Sequence, residues 1–339
     1  MKKFIFLFFP IVAFSQLSEK VNILFSELNT FERVESEHIS FGGIQSKSYQ
    51  LFEDIDSIAS TDELVYMVKN GNLSTKAYLS YLLVDRKYEK NTEIFKLFLK
   101  NNDTLNITVG CVGHTSTLAA EFYSYFFNEK RKIEDRKALE SEILKDPKAY
   151  EFFPIEDYHS NWNYEEIINS INELNGIALK TDSINPITIN TIFRLNDYQL
   201  NDYVKVKSIA TKYPTRETLA TLASFKEDKD LNIILENKKI NFLAISKFPH
   251  SSFFSYLQES CENQYQNLDF YDAITSYCTK ESGLELEKLY NKIILENKKF
   301  PMLGDELLVY LLNFIEDKKC SEHNDFFVKL NDYLTPNSP

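Results

Sequence analysis

A thiol and an imidazole stand three residues apart in Cys111-Val112-Gly113-His114. A cysteine nucleophile needs a base to draw off its proton, so a turn folding these two together would hold the parts of a thiol catalyst. Catalytic cysteines usually meet their histidine from a distant segment, and a small thiol beside Gly110 packs well, so the pattern favours a packed residue over a nucleophile. The other histidines, His38, His159, His250 and His323, form no HxxxH or HExxH pair among themselves or with His114, and no two cysteines make a CxxC. Neither metal nor cofactor is therefore expected. Asp54 and Asp56 are a lone DxD without the glycine and closing glutamate of a calcium loop. GxSxG, GxGxxG and a phosphate loop are missing, and Gly42-Gly43 reads as a plain turn. Dispersed carboxylates such as Glu165 and Glu166 would serve a helical hydrolase without any local motif, but with 50 acidic residues the sequence ranks none above the rest.

The elements that would position such groups read as helices. Leu118, Ala119, Phe122, Tyr123 and Phe126 lie on one helical stripe. Ile167, Ile171, Leu174 and Ala178 repeat it, as do Leu286, Leu289, Tyr290 and Ile293, and then Leu307, Leu308, Leu311, Leu312 and Ile315. Only 8 glycines and 9 prolines occur, too few for a hairpin-rich β-sandwich or barrel. Pro147, Pro154, Pro186, Pro214, Pro249, Pro301 and Pro336 mark helix boundaries, and Thr61-Asp62-Glu63 and Ser251-Ser252 look like capped starts. Roughly fourteen to eighteen helices are expected on this pattern. Thr104 to Val112 alternates like a strand, ending between Gly110 and Gly113, and is expected as an extended loop or short hairpin; Pro186 to Phe193 is expected as helix. The broadest interruption, Asp146 to Asn163, predicts a connection between a segment 16–145 and a segment 164–339, with the lone Trp162 packed across it rather than stacking a ligand.

The heptapeptide Ile-Ile-Leu-Glu-Asn-Lys-Lys occurs at Ile233 to Lys239 and again at Ile293 to Lys299, with divergent flanks, which suggests two related helices in a repetitive array. Thr61 to Arg86 resembles a HEAT-type helical hairpin: an apolar helix, a turn at Asn70-Gly71-Asn72, and a second helix with Ala77 at its close contact. Arg216 to Leu257 is similar. Lys76 stands nearest the arginine that usually opens the second helix of such a repeat. The resemblance covers about half of the chain and implies an all-α fold, an irregular α-solenoid of the armadillo/HEAT kind, whose helical pairs need neighbours to cover their apolar faces.

Residues Met1 to Ser15 have the form of a secretory signal: Lys2 and Lys3, an apolar run Phe4 to Val12, then Ala13-Phe14-Ser15, with cleavage expected between Ser15 and Gln16. The apolar run is too short to span a bilayer, no later stretch is long enough, and the first cysteine, Cys111, is far from the cut. A periplasmic or secreted protein follows as the expectation. Taking Lys2 and Lys3 from 38 basic residues leaves 36 against 50 acidic ones, so a net charge of -12 becomes about -14. Nucleic acid is disfavoured, because the richest basic stretch, Lys130 to Lys137, is interrupted by Glu134 and Asp135 and reads as a solvated helix face. Export permits disulfides among Cys111, Cys261, Cys278 and Cys320; Cys261 with Cys278 is one candidate pair, and buried free thiols are the alternative.

The expected function is an exported, non-enzymatic binding or scaffold protein holding a macromolecular partner, a protein foremost, on a helical-repeat surface. An envelope inhibitor or immunity factor with an acidic face is one form of it. A secreted hydrolase with dispersed carboxylates is the alternative.

Overall fold

The structure, a computed structural model, describes residues 17–101, 103–146, 148, 155–181, 183–298 and 301–335, and of 156–157 and 301–303 the backbone alone. The signal segment with Ser15 and Gln16 lies outside these residues, as do Pro147, Pro154 and Pro336. The chain divides into two compact units, Met1–Thr188 and Ile189–Pro339.

The described residues are mainly helical, with 17 α-helices, but the fold is not all-α. The first unit carries α1 (Glu19–Leu28), α2 (Lys47–Ile58), α3 (Thr61–Asn70), α4 (Leu73–Asp85), α5 (Asn91–Leu99), α6 (Leu118–Lys145), α7 (Tyr164–Ala178) and the start of α8 (Pro186–Leu195), the last in agreement with its helical stripe. It also carries a four-stranded mixed sheet of β1 (Arg33–Ile39), β2 (Ile44–Gln45), β3 (Thr104–Gly110) and β4 (Val112–Thr117). The strand order is β2-β1-β3-β4, with β1 parallel to β3 and the other pairs antiparallel.

The strand-like stretch is therefore one arm of a hairpin: β3 pairs with β4 from Thr104 opposite Thr117 to Val109 opposite Val112. Gly110, at φ +59°, takes the first position of the two-residue turn, where a Gly-first hairpin turn needs a left-handed residue. β1 escapes the sequence pattern because its one buried side chain is Glu35. That carboxylate accepts from Ser46 Oγ at 2.7 Å and Arg33 Nε at 2.5 Å. Tyr78 of α4 completes the anchor, its hydroxyl accepting from the Glu35 N–H and donating to the Glu35 carbonyl, both at 2.6 Å. Burial alone would raise the Glu35 pKa, but its hydrogen bonds and the Arg33 charge lower it.

Helices α3 and α4 form the hairpin read at Thr61 to Arg86. Ser60 and Glu63 close a capping box on α3, and Asn72 caps α4 by accepting from Thr75 N–H at 2.9 Å. Gly71 between them is required by close approach, since a Cβ there would lie 2.9 Å from the Met67 carbonyl. α4 is buried nearly all round, and α3, α6 and β1 pack on it.

The second unit continues with α9 (Tyr203–Lys212), α10 (Arg216–Ser224), α11 (Leu231–Leu235), α12 (Phe242–Lys247), α13 (Phe254–Ser260), α14 (Leu268–Thr275), α15 (Lys280–Asn297), α16 (Pro301–Lys318) and α17 (Asn324–Leu334). Its core is built on Phe242, Phe253, Phe270, Tyr271, Leu286, Leu289 and Leu311. Arg216 to Leu257, the second HEAT-like stretch, is divided among α10, α11, α12 and the first turn of α13. The two heptapeptide copies are placed differently: the first ends the five-residue α11 and buries Ile234, while the second ends the 18-residue α15 and buries Ile293. Cys278 pairs with Cys320, their Cα atoms 5.5 Å apart, rather than with Cys261. The Cys261 thiol is buried and donates to the Glu285 carbonyl at 3.4 Å.

Candidate functional site

Cys111 is not the packed thiol expected: the turn opened by Gly110 holds it exposed at the tip of the β3–β4 hairpin, with His114 exposed on β4 opposite Ile107. Among the described residues no hydrogen bond joins them. Asp56 holds Arg86 Nη2 at 2.6 Å, tethering α2 to the end of α4. Glu165 is exposed in the first turn of α7, and Glu166 is the capping-box partner of Asn163. His323 and Ser282, a pairing not evident in the sequence, meet at 2.8 Å, but both are fully buried and the Ser282 hydroxyl is occupied by the carbonyls of Tyr277 and Thr279. Burial lowers the His323 pKa against a hydrogen bond with the Tyr277 backbone; the ring is enclosed just before α17, beside the first turn of α15, and its Nδ1 has no partner among the described residues. Among the described residues no three His, Cys, Asp or Glu side chains are grouped to hold a metal ion.

The arrangement best suited to a ligand lies in the first unit, where the α4–α5 turn faces α7. α4 ends at Asp85, and Lys87 follows at φ +54°, the left-handed position after a helix that glycine usually fills. The turn carries the Lys87 ammonium to Glu166 and over the Trp162 ring, 5.5 Å from its centroid. That ion pair, with the Asn163 N–H, lowers the Glu166 pKa. Trp162 is fixed from two sides: its Nε1–H donates to the Val84 carbonyl at 2.9 Å, and its ring lies 5.7 Å from Phe126 of α6. Asn161 adds a bond from Nδ2 to the Asp85 carbonyl at 3.2 Å. The lone tryptophan is thus a packing residue within the first unit, and its half-exposed ring also forms one wall of a cleft of about 390 Å³.

Asn91, the first residue of α5, lines this cleft at 6% exposure. Its backbone N–H donates to the Tyr88 carbonyl at 3.2 Å, but neither Nδ2 nor Oδ1 of its amide has a partner among the described residues. Leaving a buried polar group unpaired costs about 1–3 kcal/mol, so natural structures keep such groups where a ligand or water completes them. Tyr88, Thr92, Asn169, Ser170 and Glu173 supply further polar edges.

Beside the cleft, Glu129 of α6 is fully buried. One of its oxygens accepts from Lys132 Nζ at 2.7 Å and the other from Ser160 Oγ at 2.6 Å. Burial would lower the Lys132 pKa, but the bond to Glu129 raises it; burial and the Glu129 charge raise that of Asp85. Two nearby carboxylates with one raised pKa resemble an acid–base pair, yet both Glu129 oxygens are occupied by Lys132 and Ser160 and none reaches solvent. The cluster fastens residues 158–163 to α6. Asn91 and Glu129 carry no sequence signal: an asparagine after a charged turn and a glutamate in a charged helix look solvated until the neighbouring helices cover them. Comparison with protein-family models, with curated proteins and with solved structures returned no match.

Proposed function

We propose that the chain is an exported, non-enzymatic binding protein that holds a macromolecular partner on the helical surface of its first unit, anchored in the cleft at Asn91. The unpartnered Asn91 amide carries this reading: its donor and acceptor are enclosed in the free chain, and a partner whose docking at the cleft displaces their cover would supply the missing mates. Trp162, locked by Val84 and Phe126, gives a preorganised wall, which lowers the entropy lost on binding. The α-solenoid reading belongs to the same proposal; it is supported by the capped α3–α4 hairpin covered by α6, the neighbour that such a repeat needs. Export is supported by the Met1 to Ser15 pattern and by the Cys278–Cys320 disulfide, a bond that persists in oxidising compartments. A hydrolase is less well supported, since Asp85, whose pKa burial and the Glu129 charge raise, has as its neighbouring carboxylate the enclosed Glu129, both of whose oxygens are taken by Lys132 and Ser160.

The test is capture from envelope extract on the immobilised full chain and on its Asn91→Leu variant. A stoichiometric partner retained by the wild type and lost by the variant supports the proposal. Equal retention by both, or turnover of a peptide or glycan panel by the wild type, contradicts it.

A further inference from the structure

We infer that β4 is the docking edge for a second copy of this chain, the two β4 strands pairing antiparallel across a two-fold axis at His114. The inference stands apart from the Asn91 cleft. β4 closes one side of the sheet, and Val112 to Thr115 are exposed along it. The β3–β4 ladder ends on a two-residue turn, so Val112, His114 and Ser116 point their N–H and C=O groups at β3. Gly113 and Thr115 alternate with them and point theirs outward, and neither makes a backbone bond beyond that ladder among the described residues. Natural sheets blunt such an edge with short length, a bulge, proline or charge. The opposite edge, β2, is two residues long. β4 has six, pairs with β3 without a register shift, and carries neither proline nor a charged residue.

Two observations select a second copy as the occupant. Thr104 to Ala120 holds no Asp, Glu, Lys or Arg, the longest such run in a chain of net charge -12. Two copies therefore meet at β4 with no like charges opposite one another, an arrangement that would destabilise a strand pair. The edge is also its own complement. With His114 facing its counterpart, Gly113 of each copy lies opposite Thr115 of the other, and each such pair exchanges both main-chain bonds, so every outward group is satisfied in four bonds. The pairing also gives Val112, 63% exposed, a neighbouring strand to pack on. One strand pair is a small interface, so a Kd of about 10–100 μM is expected.

The experiment is sedimentation equilibrium of the exported chain up to about 300 μM, above the expected Kd. Thr115→Pro removes an outward N–H and no bond to β3, and His114→Lys sets two ammonium groups against each other across the axis. Each should weaken dimerisation at least about tenfold and leave Tm unchanged. Cysteine pairs in a Cys111→Ser background test the register. Facing residues of a non-hydrogen-bonded pair have Cα atoms about 4.5 Å apart, within disulfide reach. His114→Cys should therefore oxidise to a covalent dimer, whereas Val109→Cys, 55% exposed on β3 and one strand removed from the axis, should not. A chain still monomeric at the highest concentration, a dimer untouched by both substitutions, or equal crosslinking from positions 109 and 114 overturns the inference. A monomeric chain that binds a different protein, with the binding lost in Thr115→Pro, marks an edge for a foreign strand and overturns it too.

Discussion

Replacing Asn91 by leucine should make the free protein more stable while removing its binding. The buried amide forgoes hydrogen bonds on two atoms, and an unsatisfied buried polar group costs about 1–3 kcal/mol. Leucine is close in length, is the better helix former by a few tenths of a kcal/mol, and has the adjoining cleft to expand into. A net gain of about 2 kcal/mol follows. In a unit of this size each kcal/mol moves Tm by about 2–4 °C, so a rise of about 4–8 °C is expected. Trp162 lies in the same unit and is the one tryptophan, so a fluorescence-detected melt reports this unit. Core substitutions ordinarily destabilise, which makes a rise discriminating. A fall of about 1 kcal/mol or more would show that the amide is already satisfied in the free protein, and the case for the cleft as a recognition site would fail with it.

Glu129→Ala should cost about 3 kcal/mol in urea unfolding, because it strands the half-buried Lys132 and the Ser160 hydroxyl; Glu129→Gln, which still accepts from both, should cost less. A loss under about 0.5 kcal/mol for the alanine variant would exclude the cluster as the fastening of residues 158–163. Burial raises the Glu63 pKa, but bonds from the Ser18 and Ser60 backbone N–H groups outweigh it and hold the pKa at about 2, below its ordinary value of 4.5. A carboxylate depressed in the folded state stabilises above its unfolded pKa, so this contribution is present above pH 4.5 and is lost as pH falls toward 2. Stability should therefore fall less steeply across that window in Glu63→Gln than in the wild type; identical slopes would contradict the assignment. The Cys278–Cys320 bond closes a sequence separation of 42 residues, for which chain entropy gives about 4 kcal/mol. Dithiothreitol should lower protection of α15 and α17 in hydrogen exchange and leave α4 unchanged, and equal loss in both units would refute a stabilisation confined to the second.

Helical stripes were legible because Leu118 to Phe126 and Ile167 to Ala178 bury one apolar face each, and burial of this kind leaves a period in the sequence. β1 was not, because it buries a glutamate and exposes much of the rest, so its alternation has no apolar trace. Helix ends were blurred by lysine in place of glycine: Lys87, Lys226 and Lys319 all take the left-handed position after a helix, where a cation also complements the helix dipole. The repeated heptapeptide misled in the opposite sense, since identical residues bury Ile234 in one copy and the first isoleucine, Ile293, in the other, as tertiary context overrides local sequence. The cleft was invisible for a related reason. Its parts come from residues 87–92, 126 and 162–174, and Asn91 becomes significant only when the packed helices deny it water.

Binding at this cleft is tested most directly by a photo-crosslinking benzophenone side chain placed at Glu89, on the cleft, and separately at Val328, exposed on α17. Benzophenone inserts into C–H bonds of protein and glycan alike. Irradiation in intact cells should give an adduct from position 89, absent from position 328 and abolished when Asn91→Leu is introduced alongside. Adducts of equal yield from both positions, or one from position 89 that survives the loss of the Asn91 amide, would contradict it.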